Sequence, residues 1–205
     1  MVQTFTQPET ISIELPNAIG LLVSCEQFEA LALANPDLRL ERTAQGELIL
    51  NPPTGGESSS RNLSISGQLG NWCETREDLG EGFDSSGGFI LPNGAILSPD
   101  ASWVSRERWE VLTPKQLKGF VPLCPDFVVE LRSASDSLSI LQTKMREYMD
   151  NGARLGWLID PQNRQVEIYR QQAEVEILIN PAELSGEDVL PGCVLNLRRV
   201  MIILG

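Results

Sequence analysis

Residues 124–136 read CPDFVVELRSASD, a buried-strand composition that carries charge where a packed strand should not. Phe127, Val128, Val129 and Leu131 suit a pleated, packed surface. Alternate residues of a strand share a face, so Asp126, Glu130 and Arg132 fall together on one side. Two acids and an arginine on a core face require partners, because an unpaired buried charge is costly.

The surrounding pattern is α/β. Ser24 and Gln27 stand in capping-box spacing and open a helix over residues 24–34, which Asn35-Pro36 stops. Residues 38–50 read as two strands joined at Ala44-Gln45-Gly46. A Pro/Gly loop then leads into a long helix from about residue 57 to about residue 76, with Ile65, Leu69, Trp72 and Cys73 on one stripe. Residues 82–104 suggest two strands around Pro92-Asn93-Gly94. A helix over residues 138–151 closes at Gly152, and strands follow over 155–160, 165–170 and 175–179. The tail, 194–204, fits either a last strand or a strand followed by helix. Together these elements predict a central mixed β-sheet flanked by helices, with an N-terminal helix and β-hairpin as an extension. No repeat or linker interrupts the 205 residues, so one domain is expected. Residues 1–56 are the extension packed on it, and residues 57–205 are its core.

Composition matters most for what it removes. The chain has no histidine, which excludes Ser-His-Asp and Cys-His couples and any histidine-ligated metal. Cys25, Cys73, Cys124 and Cys193 are scattered, without C-x-x-C spacing, and read as free thiols in a reducing cytoplasm. The net charge of −12 counts against indiscriminate DNA binding but leaves room for a local basic groove or for a metal between acids and phosphate. The first residues carry no basic segment, and the apolar run after residue 17 is too short to span a bilayer. A soluble cytoplasmic protein with no membrane partner is expected.

Acid–base or metal chemistry must then rest on carboxylates and lysine. Asp100 follows Pro99 at a strand edge, and Glu130 lies mid-strand. Leu138, Leu141, Met145 and Tyr148 form the buried stripe of the 138–151 helix. Lys144 lies about 60° from Leu141, on the margin of that stripe. From there it can rest its stem on the core and aim its ammonium along the sheet. Two carboxylates beside a cation can hold Mg²⁺ with hard oxygen ligands, leaving room for water and phosphate.

The ordered series PDASWV, CPDFVVELRSASD, KMREYMDNGARLGWLIDP and VEIYR resembles the Uma-type restriction endonucleases, a branch of the PD-(D/E)XK nuclease superfamily. The resemblance implies a restriction-endonuclease-like fold and Mg²⁺-dependent hydrolysis of phosphodiester bonds, with Mn²⁺ as the alternative ion and DNA as the first substrate. It assigns Asp100, Glu130 and the Leu131 carbonyl to the metal. Glu57 matches the acid that many members carry on the first core helix, placed to ligate a second metal or order a water. Arg132 departs from the pattern, which has a catalytic lysine there. Lys144 is the substitute that orients the attacking water, and Arg132 is left to hold a phosphate oxygen. A homodimer is the assembly that would cut both strands.

Taken singly, these residues have plainer roles. Glu130 and Arg132 could form a structural salt bridge, Asp100 could cap a turn, Lys144 could be solvated, and Glu57 could serve the helix dipole. Asp126 reads as a turn or capping residue, and Trp72, Trp103, Trp109 and Trp157 as packing. Two rivals to the nuclease follow. One is a catalytically inactive nuclease-fold module for binding or assembly. The other is a metal-dependent hydrolase of small phosphate esters.

Overall fold

The computed structural model describes residues 21–202. Helix α1, Cys25–Ala34, begins at the Ser24–Gln27 capping box and ends at Asn35. Strands β1 (Arg39–Arg42) and β2 (Leu48–Asn51) pair antiparallel. Gly46, in the turn between them, takes φ +95°, where a side chain would be strained. Helix α2, Gly56–Glu74, buries Ile65, Leu69 and Trp72 at helical spacing.

Four short strands follow where the periodicity suggests two: β3 (Gly80–Asp84), β4 (Phe89–Ile90), β5 (Ile96–Leu97) and β6 (Ala101–Ser105). The Leu91–Ala95 backbone bond folds β4 onto β5, and Pro99, which has no N–H for a ladder, separates β5 from β6. Helix α3 (Arg106–Glu110) precedes β7 (Phe127–Leu131), α4 (Leu138–Asp150), β8 (Leu155–Asp160), β9 (Gln165–Arg170) and β10 (Glu176–Ile179). The chain continues through β11 (Glu183–Ser185), β12 (Val194–Asn196) and α5 (Arg198–Met201). The tail is therefore the strand-and-helix form.

The main sheet has six strands in the order β10-β9-β8-β7-β6-β3, and only β7 and β8 are parallel. Helix α4 makes the crossover that a parallel pair requires. This is the expected α/β architecture, a central mixed sheet flanked by helices. The N-terminal hairpin joins a second sheet of order β2-β1-β5-β4.

Each face of the main sheet has its own apolar core. Phe127, Val129 and Leu131 pack with Ile65, Leu69 and Trp72 of α2 on one side. Val128 and Leu158 pack with Met145 and Tyr148 of α4 on the other. Glu130 alternates with Val129 and Leu131 and so turns toward α4. Asp126 and Arg132 fall just outside β7. Of the three charges assigned to one strand face, only Glu130 belongs to the strand itself.

A candidate active site where β1, β7 and α4 meet

The antiparallel register of β6 and β7 pairs Ala101 with Val129, and one step further sets Asp100 opposite Glu130. Asp100 grips β7 on either side of that glutamate. Its N–H donates to the Val129 carbonyl at 3.0 Å, and its Oδ2 accepts the Leu131 N–H at 2.9 Å. The Asp100 carboxylate thus occupies a strand amide where β6 begins.

Glu130 is 4% exposed. Its Oε1 accepts from Lys144 Nζ at 2.8 Å and from the Tyr148 hydroxyl at 3.1 Å. Lys144 and Tyr148 lie four residues apart on α4, so both reach the sheet from one helix face. The Lys144 ammonium also donates to Glu41 Oε1 at 2.9 Å and to the Ser98 carbonyl at 3.4 Å. Glu41 comes from β1. Its carboxylate further accepts the Ser98 N–H at 2.8 Å and the Asn51 side-chain amide at 3.0 Å.

Burial decides the protonation of this cluster. It pushes the Glu130 carboxyl up to about 8, against the pull of Lys144 and with the push of Asp100 and Glu41. Asp100 is raised as well, by burial opposed by the Leu131 N–H. Burial alone would lower the Lys144 ammonium, but Glu130 and Glu41 hold it above its ordinary value. Glu41 is lowered in spite of its burial, chiefly by Lys144. The ammonium thus keeps its proton at neutral pH, and burial beside two other carboxylates favours the protonated form of Glu130. With all three ionised against one lysine, the cluster would carry two net negative charges, the complement of one divalent cation.

The donor set fits a hard cation. Glu130 Oε2 and Asp100 Oδ1 accept no hydrogen bond among the described residues, and both are carboxylate oxygens. Among those residues no three His, Cys, Asp or Glu side chains form a ready-made metal cage. Two carboxylates are sufficient for Mg²⁺, which keeps most of its waters and takes few protein ligands.

The other sequence candidates lie elsewhere. Arg132 donates to Asp160 Oδ2 at 2.9 Å and to the Asp136 carbonyl at 3.2 Å, beyond the end of β7. Glu57 pairs with Arg61, four residues on in α2, at 2.5 Å. Asp126 has the capping role read for it, accepting the Ser105 N–H at 2.9 Å and pairing with Arg108 at 3.1 Å. The residue that sequence reasoning missed is Glu41. The usable signal is an acid at a buried position of a strand otherwise read as an outlying hairpin.

Of the cluster's side chains, Glu41 reaches a neighbouring cavity beside Arg39. A cavity of about 230 Å³ is lined by Arg39, Glu41, Asn51, Ser85, Ser86 and Ser98, with apolar walls from Leu38 and Phe120. A larger depression, about 670 Å³, lies against α2 and β3 and contains no cluster residue. Glu74, Glu77, Glu81 and Asp84 line it and would repel phosphate. No described helix is long and apolar enough to cross a membrane.

No curated protein matches the chain. Among solved structures it is similar to a chain described as a "putative nuclease belonging to DUF820" from Anabaena variabilis ATCC 29413. That match has a TM-score of 0.71 and 20% identity, and covers 87% of this chain and 97% of the other. At that identity the likeness establishes the shared fold. Sequence settles the family: residues 25–198 match Uma2, described as "Putative restriction endonuclease", and the chain belongs to that family.

Proposed function

We propose that this protein is a Mg²⁺-dependent endonuclease that hydrolyses phosphodiester bonds, with DNA as its first substrate and Mn²⁺ as the alternative ion. The observation that carries the reading is the meeting of Asp100, Glu130, Glu41 and Lys144, with a charge balance that a divalent cation completes. Asp100, Glu130 and the Leu131 carbonyl would hold the ion. When bound, it supplies electrostatic stabilisation of the charge that grows on the phosphate and activation of water.

The chain's own residues do the rest. Asp100 fixes the backbone beside Glu130, so the two carboxylates keep their relative position. Tyr148 and Lys144 hold one oxygen of Glu130 and leave the other free. Lys144, its three donors committed to Glu130, Glu41 and the Ser98 carbonyl, acts through its fixed positive charge on the transition state and not by donating to the attacking water. Glu41 anchors the ammonium from the opposite side. Arg132 and Glu57 keep their partners in Asp160 and Arg61 and stand outside this set.

The fully engaged Lys144 favours one alternative, an inactive nuclease-fold module whose cluster serves only as a buried ion-pair network. Titration calorimetry with Mg²⁺, followed by incubation with supercoiled plasmid, separates the two. The nuclease reading expects one bound ion and Mg²⁺-dependent nicking, both lost in Asp100→Asn. A protein with no Mg²⁺ heat and no nicking under either ion is the inactive module.

A further inference from the structure

We infer that Arg39 is the residue that binds the substrate's phosphate, so that a role the sequence pattern gives to β7 is performed by the N-terminal hairpin. The inference rests on the nuclease reading above and names the positioning group that reading lacks. Three cations are candidates. Lys144 directs its donors to Glu130, Glu41 and the Ser98 carbonyl, and an ammonium has only three. Arg132 is bound to Asp160 and to the Asp136 carbonyl. Arg39 is different on each count.

Its side chain is 39% exposed and lies 4.0 Å from Asp100 Oδ1, the long limit of an ion pair. Among the described residues its hydrogen bonding is a single 3.3 Å contact from Nη2 to the Ser85 carbonyl. A guanidinium has five N–H donors in a planar fork that matches two phosphate oxygens. Most of that fork is uncommitted, at the mouth of the cavity that leads to Glu41 and Ser98. The Ser85 contact and the Asp100 charge hold the guanidinium toward the carboxylates without consuming it. A phosphate placed there would touch Arg39 and face Asp100 together.

The cavity also bears on the class of substrate. About 230 Å³ is less than the roughly 300–1,000 Å³ of pockets that enclose a whole small ligand. It admits one phosphate and part of its sugar, with the remainder of the substrate outside. That suits a polymer backbone crossing the mouth better than a free nucleotide held within it.

The test is binding of a fluorescein-labelled single-stranded oligonucleotide by anisotropy, with Ca²⁺ in place of Mg²⁺, over a range of salt. Wild type, Arg39→Ala, Arg39→Lys and Arg132→Ala are compared, and each variant's melting temperature checks its folding. Arg39→Ala should weaken binding roughly tenfold or more. It should also reduce the salt slope by about one. Arg39→Lys should recover part of the loss, and Arg132→Ala should bind as wild type. A folded Arg39→Ala that binds like wild type overturns the assignment, as does wild type that binds no oligonucleotide. Wild type that binds through Arg39 but never cuts under Mg²⁺ leaves the Arg39 assignment standing and removes the hydrolase.

Discussion

Glu41 and Lys144, 103 residues apart in the chain, meet through a 2.9 Å ion pair. The same ammonium is bonded to Glu130, so one lysine bridges two buried glutamates from two different sheets. Removing it leaves the ionised Glu41 in the interior without its counter-charge and Glu130 without a donor. Loss of one partner from a buried pair typically costs about 3–5 kcal/mol. Lys144→Ala should therefore be destabilised by roughly that amount in metal-free urea unfolding, and Mg²⁺ should restore part of the loss. Stability equal to wild type would mean that the cluster is already solvated.

Glu130 gives a pH dependence of definite sign. Its carboxyl is raised from 4.5 to about 8 by burial, so the folded protein binds that proton more tightly than the unfolded chain. The resulting stability is fully present below pH 4.5 and is lost as pH rises through about 8. Asp100, also raised, acts in the same direction, while Glu41 is lowered and contributes stability that is lost in acid. The metal-free melting temperature should fall between about pH 4.5 and pH 8, and saturating Mg²⁺ should flatten the fall. A metal-free profile that is level across that range would contradict the protonated Glu130.

Arg132 should matter for folding and not for metal. Its partner Asp160 has a side chain that is 1% exposed, and it also accepts from Gln162 and Asn163 in the turn after β8. Arg132→Ala should cost about 1–3 kcal/mol, softened by those remaining bonds. Its Mg²⁺ affinity by calorimetry should equal that of wild type. A large drop in affinity with intact stability would move Arg132 back into the site.

Tyr148→Phe removes one hydroxyl and little volume. The hydroxyl donates to Glu130 Oε1 at 3.1 Å inside the core. Its loss should cost about 1 kcal/mol in stability. It should also raise the Glu130 carboxyl further, visible as a higher titration midpoint in side-chain NMR of the metal-free protein. An unchanged midpoint would show that Lys144 alone sets that carboxylate.

Much of this fold was legible because its signals are local. The capping box at Ser24, the apolar stripe of α2 and the Gly152 stop after α4 all depend on residues within a few positions. Asp100, Glu130 and Lys144 could be picked out because each breaks a local pattern: an acid at a strand edge, an acid within a strand, a lysine beside an apolar stripe. Arg132 was read onto the same face as Glu130 by alternation, which stops applying where β7 ends at Leu131. What then fixes Arg132 is Asp160, on a neighbouring strand. Glu41 was hidden for the same reason. Its partners are Lys144 and Ser98, and no periodicity in β1 points to them. Short strands such as β4, β5 and β11 carry too few residues to show a period at all.

The long span between Glu41 and Lys144 also bears on how the chain is made. Closing a contact across 103 residues comes at a larger entropic cost than forming the local turns of α4 or the β1–β2 hairpin. During synthesis the hairpin emerges first and must wait for α4 before its glutamate meets a cation. The cluster consequently closes after those local elements, and a chain truncated before α4 carries the acids without their lysine. Pulse-labelled hydrogen exchange at the Ser98 amide, which is bonded to Glu41 Oε1, would time the arrival of that glutamate: protection no earlier than that of α4 is expected, and protection before α4 would exclude it.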